Sequence, residues 1–176
     1  MKKIVTALML ILFSAFTAAA GQGWEVCFTD PSNFRKDANT PEAVLLREIR
    51  NSVSSFYGAF YDISSKAVVT ELIQAKKRGI DVRLVTDDEN FDGECITLLL
   101  DAGIPIVNDN RPGLMHNKFA VIDGEVLFNG SYNTTDNCAY KNNNNAVVFR
   151  SVELAAIYLQ EFDEMFTMGI FGNRKE

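Results

Sequence analysis

Apolar and polar residues partly alternate through Trp24, Glu25, Val26, Cys27, Phe28 and Thr29, which predicts a strand, and Asp30-Pro31-Ser32-Asn33 breaks it. Thr40-Pro41 sets an N-cap residue ahead of a proline at the first helical position. Val44, Leu45, Glu48, Ile49 and Val53 then recur at helical spacing on a mostly apolar face, so a helix is expected over 41–53. Residues 56–63 are aromatic and β-prone, a second strand. Ser64 or Ser65 then caps a helix carrying Val68, Leu72, Ile73 and Ala75, which stops at Gly79. Residues 81–86 read as a third strand. The acidic stretch Asp87-Asp88-Glu89 leads to a helix over 94–102, with Gly103 as its stop and a short strand at 104–107.

Strands alternating with helices in this way are the signature of parallel βαβ units, so the first half reads as α/β. The second half changes style. Residues 118–122 and 126–129 flank Asp123-Gly124, a strong tight-turn signal between apolar runs, and predict a hairpin. Residues 145–150 predict a further strand, and 152–166 a closing amphipathic helix. The expected fold class is α/β, a mixed central β-sheet flanked by helices on both faces, in a single domain over 21–176. The asparagine run at 142–145 is the one low-complexity patch and is too short to mean disorder.

The start of the chain does not belong to this pattern. Met1-Lys2-Lys3, an apolar stretch over 4–16 and Ala18-Ala19-Ala20-Gly21 have the three parts of a secretory signal peptide, with cleavage expected after Ala20. The apolar stretch is shorter than the roughly 20 residues needed to span a bilayer, which argues against an uncleaved anchor. A periplasmic or secreted product without a transmembrane segment is therefore expected. Export also removes Lys2 and Lys3, so that 17 basic residues become 15 against 23 acidic ones and the net charge moves from −6 to −8. A protein that held nucleic acid by bulk electrostatics would be basic. Any polyanion must be gripped locally here. Cys27, Cys95 and Cys138 permit at most one intrachain bridge, their spacing matches no zinc motif, and they read as buried small apolar residues or as one bridge with a spare thiol.

The candidate chemistry lies in the hairpin. His116, the sole histidine, stands two residues before Lys118 on a segment entering a strand, and period-two spacing puts both on one face. Gly130-Ser131-Tyr132-Asn133 ends the next strand of the hairpin, so Ser131 and Asn133 can arrive beside that pair, while Tyr132 alternates away into the core. Imidazole, ammonium, hydroxyl and carboxamide together suit a phosphodiester. The imidazole attacks phosphorus or passes a proton near neutral pH, and the cation and amide stabilise oxyanion charge.

His116-Asn117-Lys118, four residues, Asp123, six residues and Gly130-Ser131-Tyr132-Asn133 is similar to the HxKx4Dx6GSxN signature of the phospholipase D superfamily. The flanking Leu114-Met115 and Phe119-Ala120-Val121-Ile122 resemble it too, and the likeness covers most of the mature chain. It is closest in style to single-motif members, which include small bacterial periplasmic endonucleases and a mitochondrial enzyme acting on cardiolipin or RNA. The resemblance implies that His116 is nucleophile in one motif, forming a phosphohistidine, and general acid in the other. It implies that Lys118 and Asn133 hold the non-bridging phosphate oxygens, that Ser131 supports them, that Asp123 holds the motif's geometry and that Gly130 allows close backbone approach. It calls for no metal or other cofactor.

One departure stands out. Where single-motif members carry a glutamate that orients the catalytic histidine, this chain has Asn144, which can accept an imidazole N–H but cannot stabilise an imidazolium as a carboxylate does. Asp136 is an alternative orienting carboxylate. Arg111, in the turn before His116, and Lys141 are candidate substrate contacts, whereas Arg150 reads as a surface charge and Asp87-Asp88-Glu89 as a solvated loop without a second ligand cluster.

Counting imidazoles leads to the expected assembly. One attacks and one donates a proton, and each chain has one, so a homodimer with both His116 side chains at its two-fold axis is expected, unless the chain is a fragment of a two-motif protein. The first substrate reading is a nuclease acting on DNA or RNA. A phospholipase D acting on a head-group phosphodiester is the alternative, and a non-catalytic binding module of the same fold is the third.

Overall fold

In the computed structural model, residues 23–32 and 38–171 are described, and the expected signal peptide at 1–20 lies outside them. Along the chain come β1 (Trp24–Phe28), α1 (Pro41–Asn51), β2 (Ser55–Phe60), α2 (Lys66–Lys77), β3 (Asp81–Thr86), α3 (Glu94–Asp101) and β4 (Ile106–Asn108). They are followed by β5 (Lys118–Ile122), β6 (Val126–Gly130), α4 (Asp136–Tyr140), β7 (Asn145–Arg150) and α5 (Val152–Phe166). The strands form one seven-stranded sheet in the order β1-β7-β6-β5-β2-β3-β4. β2, β3 and β4 are parallel, as the strand–helix alternation requires, and every other neighbouring pair is antiparallel. The mixed sheet is the one expected.

Its two faces are apolar for different partners. On one face Phe56, Leu84, Ala120, Phe128 and Val148 pack with Leu45 and Ile49 of α1, Leu72 of α2 and Ile96 and Leu99 of α3. On the other, Ala59, Val85, Phe119, Val121 and Leu127 meet Ala155, Phe162 and Met165 of α5. Strand β5 shows why its sequence is a continuous apolar run rather than an alternation: Phe119 and Val121 face α5 while Ala120 and Ile122 face the other helices. Phe162 is wholly buried and stacks at 5.4 Å on both Tyr57 and Phe166. Removing a side chain of this size from water contributes about 1.5–3 kcal/mol. Toward β1 this face is open, and Trp24, Val26 and Phe28 alternate outward on the edge strand, 50%, 36% and 63% exposed.

The differences from the expected elements have local causes. α1 stops at Asn51 because the Ser52 N–H and hydroxyl turn back to Ile49 O, and the N–H groups of Val53, Ser54 and Ser55 donate instead to the Asp123 carboxylate. β2 ends at Phe60, and Ile63 survives only as an isolated bridge to Thr134. β4 starts at Ile106 rather than 104, after Pro105, whose carbonyl accepts the Leu84 N–H. Helix α4 was not expected. Its cap is the Thr135 hydroxyl, which accepts the Cys138 N–H at 3.1 Å, and Tyr140 anchors it by donating to Glu42. Cys27, Cys95 and Cys138 are all buried and none is in a disulfide, which matches the buried-thiol reading. Arg150 is more than a surface charge, since with Arg47 it holds the buried Glu48 carboxylate. No helix among the described residues is long and apolar enough to cross a membrane.

Candidate active site

The chemistry-bearing residues gather at one end of the sheet. The parallel strands β2 and β3 run toward it and deliver Tyr61 and Asp87, β6 arrives with Gly130, and β5 and β7 begin there, after His116 and Asn144. Crevices outside the carboxyl ends of parallel strands, where the strand order reverses, are favoured for ligands because loops diverge there. β2 is such a point, with parallel β3 on one side and antiparallel β5 on the other.

His116 is exposed in the loop leading into β5. Two ties fix that loop. The Met115 side chain is buried under α5, and its N–H donates to Asp87 Oδ2 at 2.7 Å. The Tyr61 N–H donates to Asn117 O at 3.1 Å, between the two candidate catalytic side chains. The Tyr61 ring lies against the imidazole, with centroids 5.1 Å apart at 56°, and Lys118 Nζ sits 5.4 Å from the same ring. Lys118 Nζ also donates to His116 O at 2.8 Å. Burial holds the Lys118 ammonium below the ordinary lysine value. His116 and Lys118 are thus brought to one place, against the same aromatic ring.

Gly130-Ser131-Tyr132-Asn133 reaches the same end by a different route. At Gly130 a Cβ would lie 2.2 Å from Asn145 O and 2.7 Å from Ala146 Cα, so only glycine lets β6 pass β7 here. Ser131 locks that crossing, its N–H donating to Asn145 O and its hydroxyl accepting the Asn145 N–H, both at 3.1 Å. Tyr132 is fully buried as expected and donates to Glu42 Oε1; burial pushes its hydroxyl pKa up, and the neighbouring carboxylate adds to the effect. Next to Asn133, Thr134 O accepts the N–H groups of Ser64 and Ser65, and the Thr134 hydroxyl donates to Asp62 O, which fastens the segment beside the exit of β2. Asn133 Oδ1 is the one buried side-chain polar atom without a hydrogen-bond partner among the described residues. No internal bond at that oxygen fixes the carboxamide's orientation.

Other candidates separate. Asp123 sits at the far end of β5, where its carboxylate accepts the N–H groups of Val53, Ser54 and Ser55 and the Ser54 hydroxyl. Desolvation alone would raise that carboxyl, but these donors outweigh it and hold it below the ordinary aspartate value. Its place is structural. Asn144 does not orient the imidazole: its Oδ1 accepts the Ser131 hydroxyl at 3.3 Å and its Nδ2 donates to Cys138 O at 3.1 Å, so the loop consumes it. Asp136 is exposed in the first turn of α4. Arg111 lines a recess of about 300 Å³ beside His116, together with Leu114, Met115, Met165 and Phe171. Lys141 is exposed just after α4, away from that recess.

The sequence reading missed Tyr61, Glu42 and Asp109, because no spacing rule links them to the motif, and it took Asp87-Asp88-Glu89 for a solvated loop although Asp87 is fully buried and accepts the Met115 N–H. Asp109 brings a third carboxylate to Asp87 and Asp88, with oxygens within 4.8 Å of one another. Two of the three already have donors: Asp87 accepts the Glu89 and Met115 N–H groups, and Asp109 accepts the Asp88 N–H and Arg111. Their evident effect is to bind the loops around His116.

Residues 45–166 match the family model for the cardiolipin synthase PLD-like domain. A phospholipase D of Rickettsia prowazekii is 31% identical over 138 residues, which are 77% of this chain and 64% of that protein. The human mitochondrial cardiolipin hydrolase is 33% identical over 124 residues, 69% of this chain and 49% of that protein. The chain thus spans between about half and two thirds of the length of the curated relatives it matches. Among solved structures, the phospholipase D family member Nuc from Salmonella typhimurium superposes with a TM-score of 0.72 at 26% identity, covering 82% of this chain and 93% of that one. NucT from Helicobacter pylori has a TM-score of 0.66 at 18% identity, a likeness of fold, covering 82% of this chain and 96% of that one.

Proposed function

This chain belongs to the family of PLD-like domains, and on that premise we propose that it is an exported phosphodiesterase, periplasmic or secreted, with His116 as nucleophile and no metal requirement. The observation that carries the reading is the meeting of an exposed imidazole and a lysine ammonium on one ring, at the sheet end where the turn bearing Asn133 arrives.

In this mechanism an imidazole nitrogen of His116 forms a bond to phosphorus while the bond to the leaving oxygen breaks, and a second imidazolium gives that oxygen its proton. Water then attacks the phosphohistidine, the second imidazole takes the water's proton, and the P–N bond breaks to release a phosphomonoester. Lys118 and the Asn133 amide hold the non-bridging oxygens as charge grows on them. The second imidazole comes from the same residue of a partner copy, because each chain has one histidine.

Nucleic acid is the first substrate reading. His116 is exposed at an open sheet end, and Lys118 and Arg111 both lie near it, an arrangement suited to a local grip on a polyanion. Phospholipid is the second reading, favoured by Leu114, Met115, Met165 and Phe171, which share the lining of the recess beside His116 with Arg111, Asn117 and Glu161 and offer contacts for a lipid's apolar portion. The purified mature chain should be incubated in EDTA with single- and double-stranded DNA, RNA, phosphatidylcholine, cardiolipin and bis(p-nitrophenyl) phosphate, and the products identified. The expected result is cleavage that survives chelation and vanishes in His116→Ala, with Lys118→Ala and Asn133→Ala slower by about 10²–10³. Turnover lost in EDTA and restored by zinc or magnesium, or retained by His116→Ala, overturns the mechanism.

A further inference from the structure

Asn144 leaves the orienting of His116 to some other group, and the structure shows which residue is built to do it. Tyr61 is fixed at every polar atom. Its N–H donates to Asn117 O, its carbonyl accepts the Thr86 hydroxyl at 3.2 Å and Asn90 Nδ2 at 3.0 Å, and its hydroxyl donates to Glu89 Oε2 at 2.9 Å. Three of those partners come from the end of β3 and the 3-10 turn Asp88–Asn90 that follows it. That turn is in turn held by Asp87, a fully buried carboxylate that accepts the Glu89 N–H through one oxygen and the Met115 N–H through the other. A single side chain therefore fixes both the loop that aims Tyr61 and the backbone immediately before His116.

We propose that Tyr61 is the positioning residue for His116 and Lys118, aimed by Glu89 and Asp87, and that this aromatic contact performs the orienting task that Asn144 cannot. The proposal rests on the phosphodiesterase reading above. The geometry suits the task, because the ring confines the imidazole from one side by a tilted aromatic contact and faces Lys118 as well, which draws the ammonium toward the ring. The ring limits where the imidazole can point without accepting its N–H, which leaves both ring nitrogens free for attack and for proton transfer. The usual carboxylate partner would instead occupy one of them. Ordering of this kind acts on the probability of a productive geometry more than on substrate affinity.

The sole histidine makes the test direct, since its ring C–H resonances can be assigned without ambiguity. In the full-length mature chain, Tyr61→Leu is expected to shift the His116 ring resonances by loss of the Tyr61 ring current. It should also cut kcat on bis(p-nitrophenyl) phosphate by about tenfold or more with KM within twofold. Tyr61→Phe keeps the ring but loses the Glu89 tether, so it should fall between Tyr61→Leu and wild type. Glu89→Gln keeps an acceptor and should restore most of what Glu89→Ala loses. Adding Glu89→Ala to Tyr61→Phe should cost nothing more, because both remove one bond. His116→Ala runs alongside: if it stays active, the catalytic assignment of His116 on which the proposal rests fails, whereas an inactive His116→Ala with Tyr61→Leu at wild-type kcat overturns the positioning role alone. Unchanged His116 resonances in a folded Tyr61→Leu protein overturn it without any substrate.

Discussion

Two carboxylates show how differently one residue type acts in this chain. Asp123 and Asp87 both accept backbone N–H groups, yet Asp123 does so at the end of the sheet remote from His116 and Asp87 beside it. Removing the Asp123 carboxylate should therefore lower stability without touching turnover. Asp123→Ala is expected to cost about 2 kcal/mol or more, the scale of lost hydrogen bonds to a charged group, with activity per folded molecule preserved, as urea melts and active-site titration can check. The acid dependence has a definite sign. The folded carboxyl titrates below its ordinary 3.8, so its contribution is complete above that value and fades as pH falls through the lower folded value. The stability gap between wild type and Asp123→Asn should be widest well above that ordinary value and narrow as pH falls below it. His116, Lys118, Ser131 and Asn133 could be picked out as candidates from spacing, and Asp123 and Gly130 from the resemblance, because the motif is local in sequence. Tyr61 and Glu89 could not, since what makes them partners of His116 is a contact between β2, β3 and β5 that only the folded sheet creates.

Among elements, legibility followed the source of stability. β3, β7 and α5 match their expected bounds because alternation or helical periodicity and a polar cap define them locally. The end of α1 and the whole of α4 depend on distant acceptors, Asp123 and Glu42, and were misjudged or missed. Glu42 deserves its own test. It is 8% exposed in α1 and receives the hydroxyls of Ser65, Tyr132 and Tyr140, joining the cap of α2, the Gly130–Asn133 turn and α4. Glu42→Ala leaves the buried Ser65 and Tyr132 hydroxyls without that acceptor, and a loss of about 2–5 kcal/mol is expected in denaturant melts, together with lower activity as the turn loosens. Gly130→Ala should act at the neighbouring junction. Its methyl meets backbone atoms that cannot rotate away, so β6 and β7 must part, and a loss of about 1–3 kcal/mol or failure to fold is expected.

For the whole molecule, the proposed two-imidazole mechanism ties activity to assembly, because each chain has one histidine. If each shared site needs two His116 side chains, a mixture of equal parts wild type and His116→Ala, allowed to exchange, should keep about a quarter of the undiluted activity rather than half, because mixed dimers are inactive. Specific activity should also fall on dilution below the dimer dissociation constant. A monomer with full specific activity at all concentrations would show that a second proton donor exists within one chain. The sheet carries a different consequence, one of timing. Among the described residues the first strand, β1, pairs only with β7, and the Cys27–Ala146 contact between them bridges 119 residues. Closing so long a loop costs entropy that the Glu25–Arg47 pair with α1 offsets only in part, so β1 is expected to join the sheet late, once β7 is in place. In the interval Trp24, Val26 and Phe28 are an unpaired sticky edge, and anything that slows the final strand lengthens the chain's exposure to aggregation. Trp24, the single tryptophan, sits on that edge and reports its closure, so in refolding its fluorescence should settle after the far-ultraviolet dichroism has largely recovered.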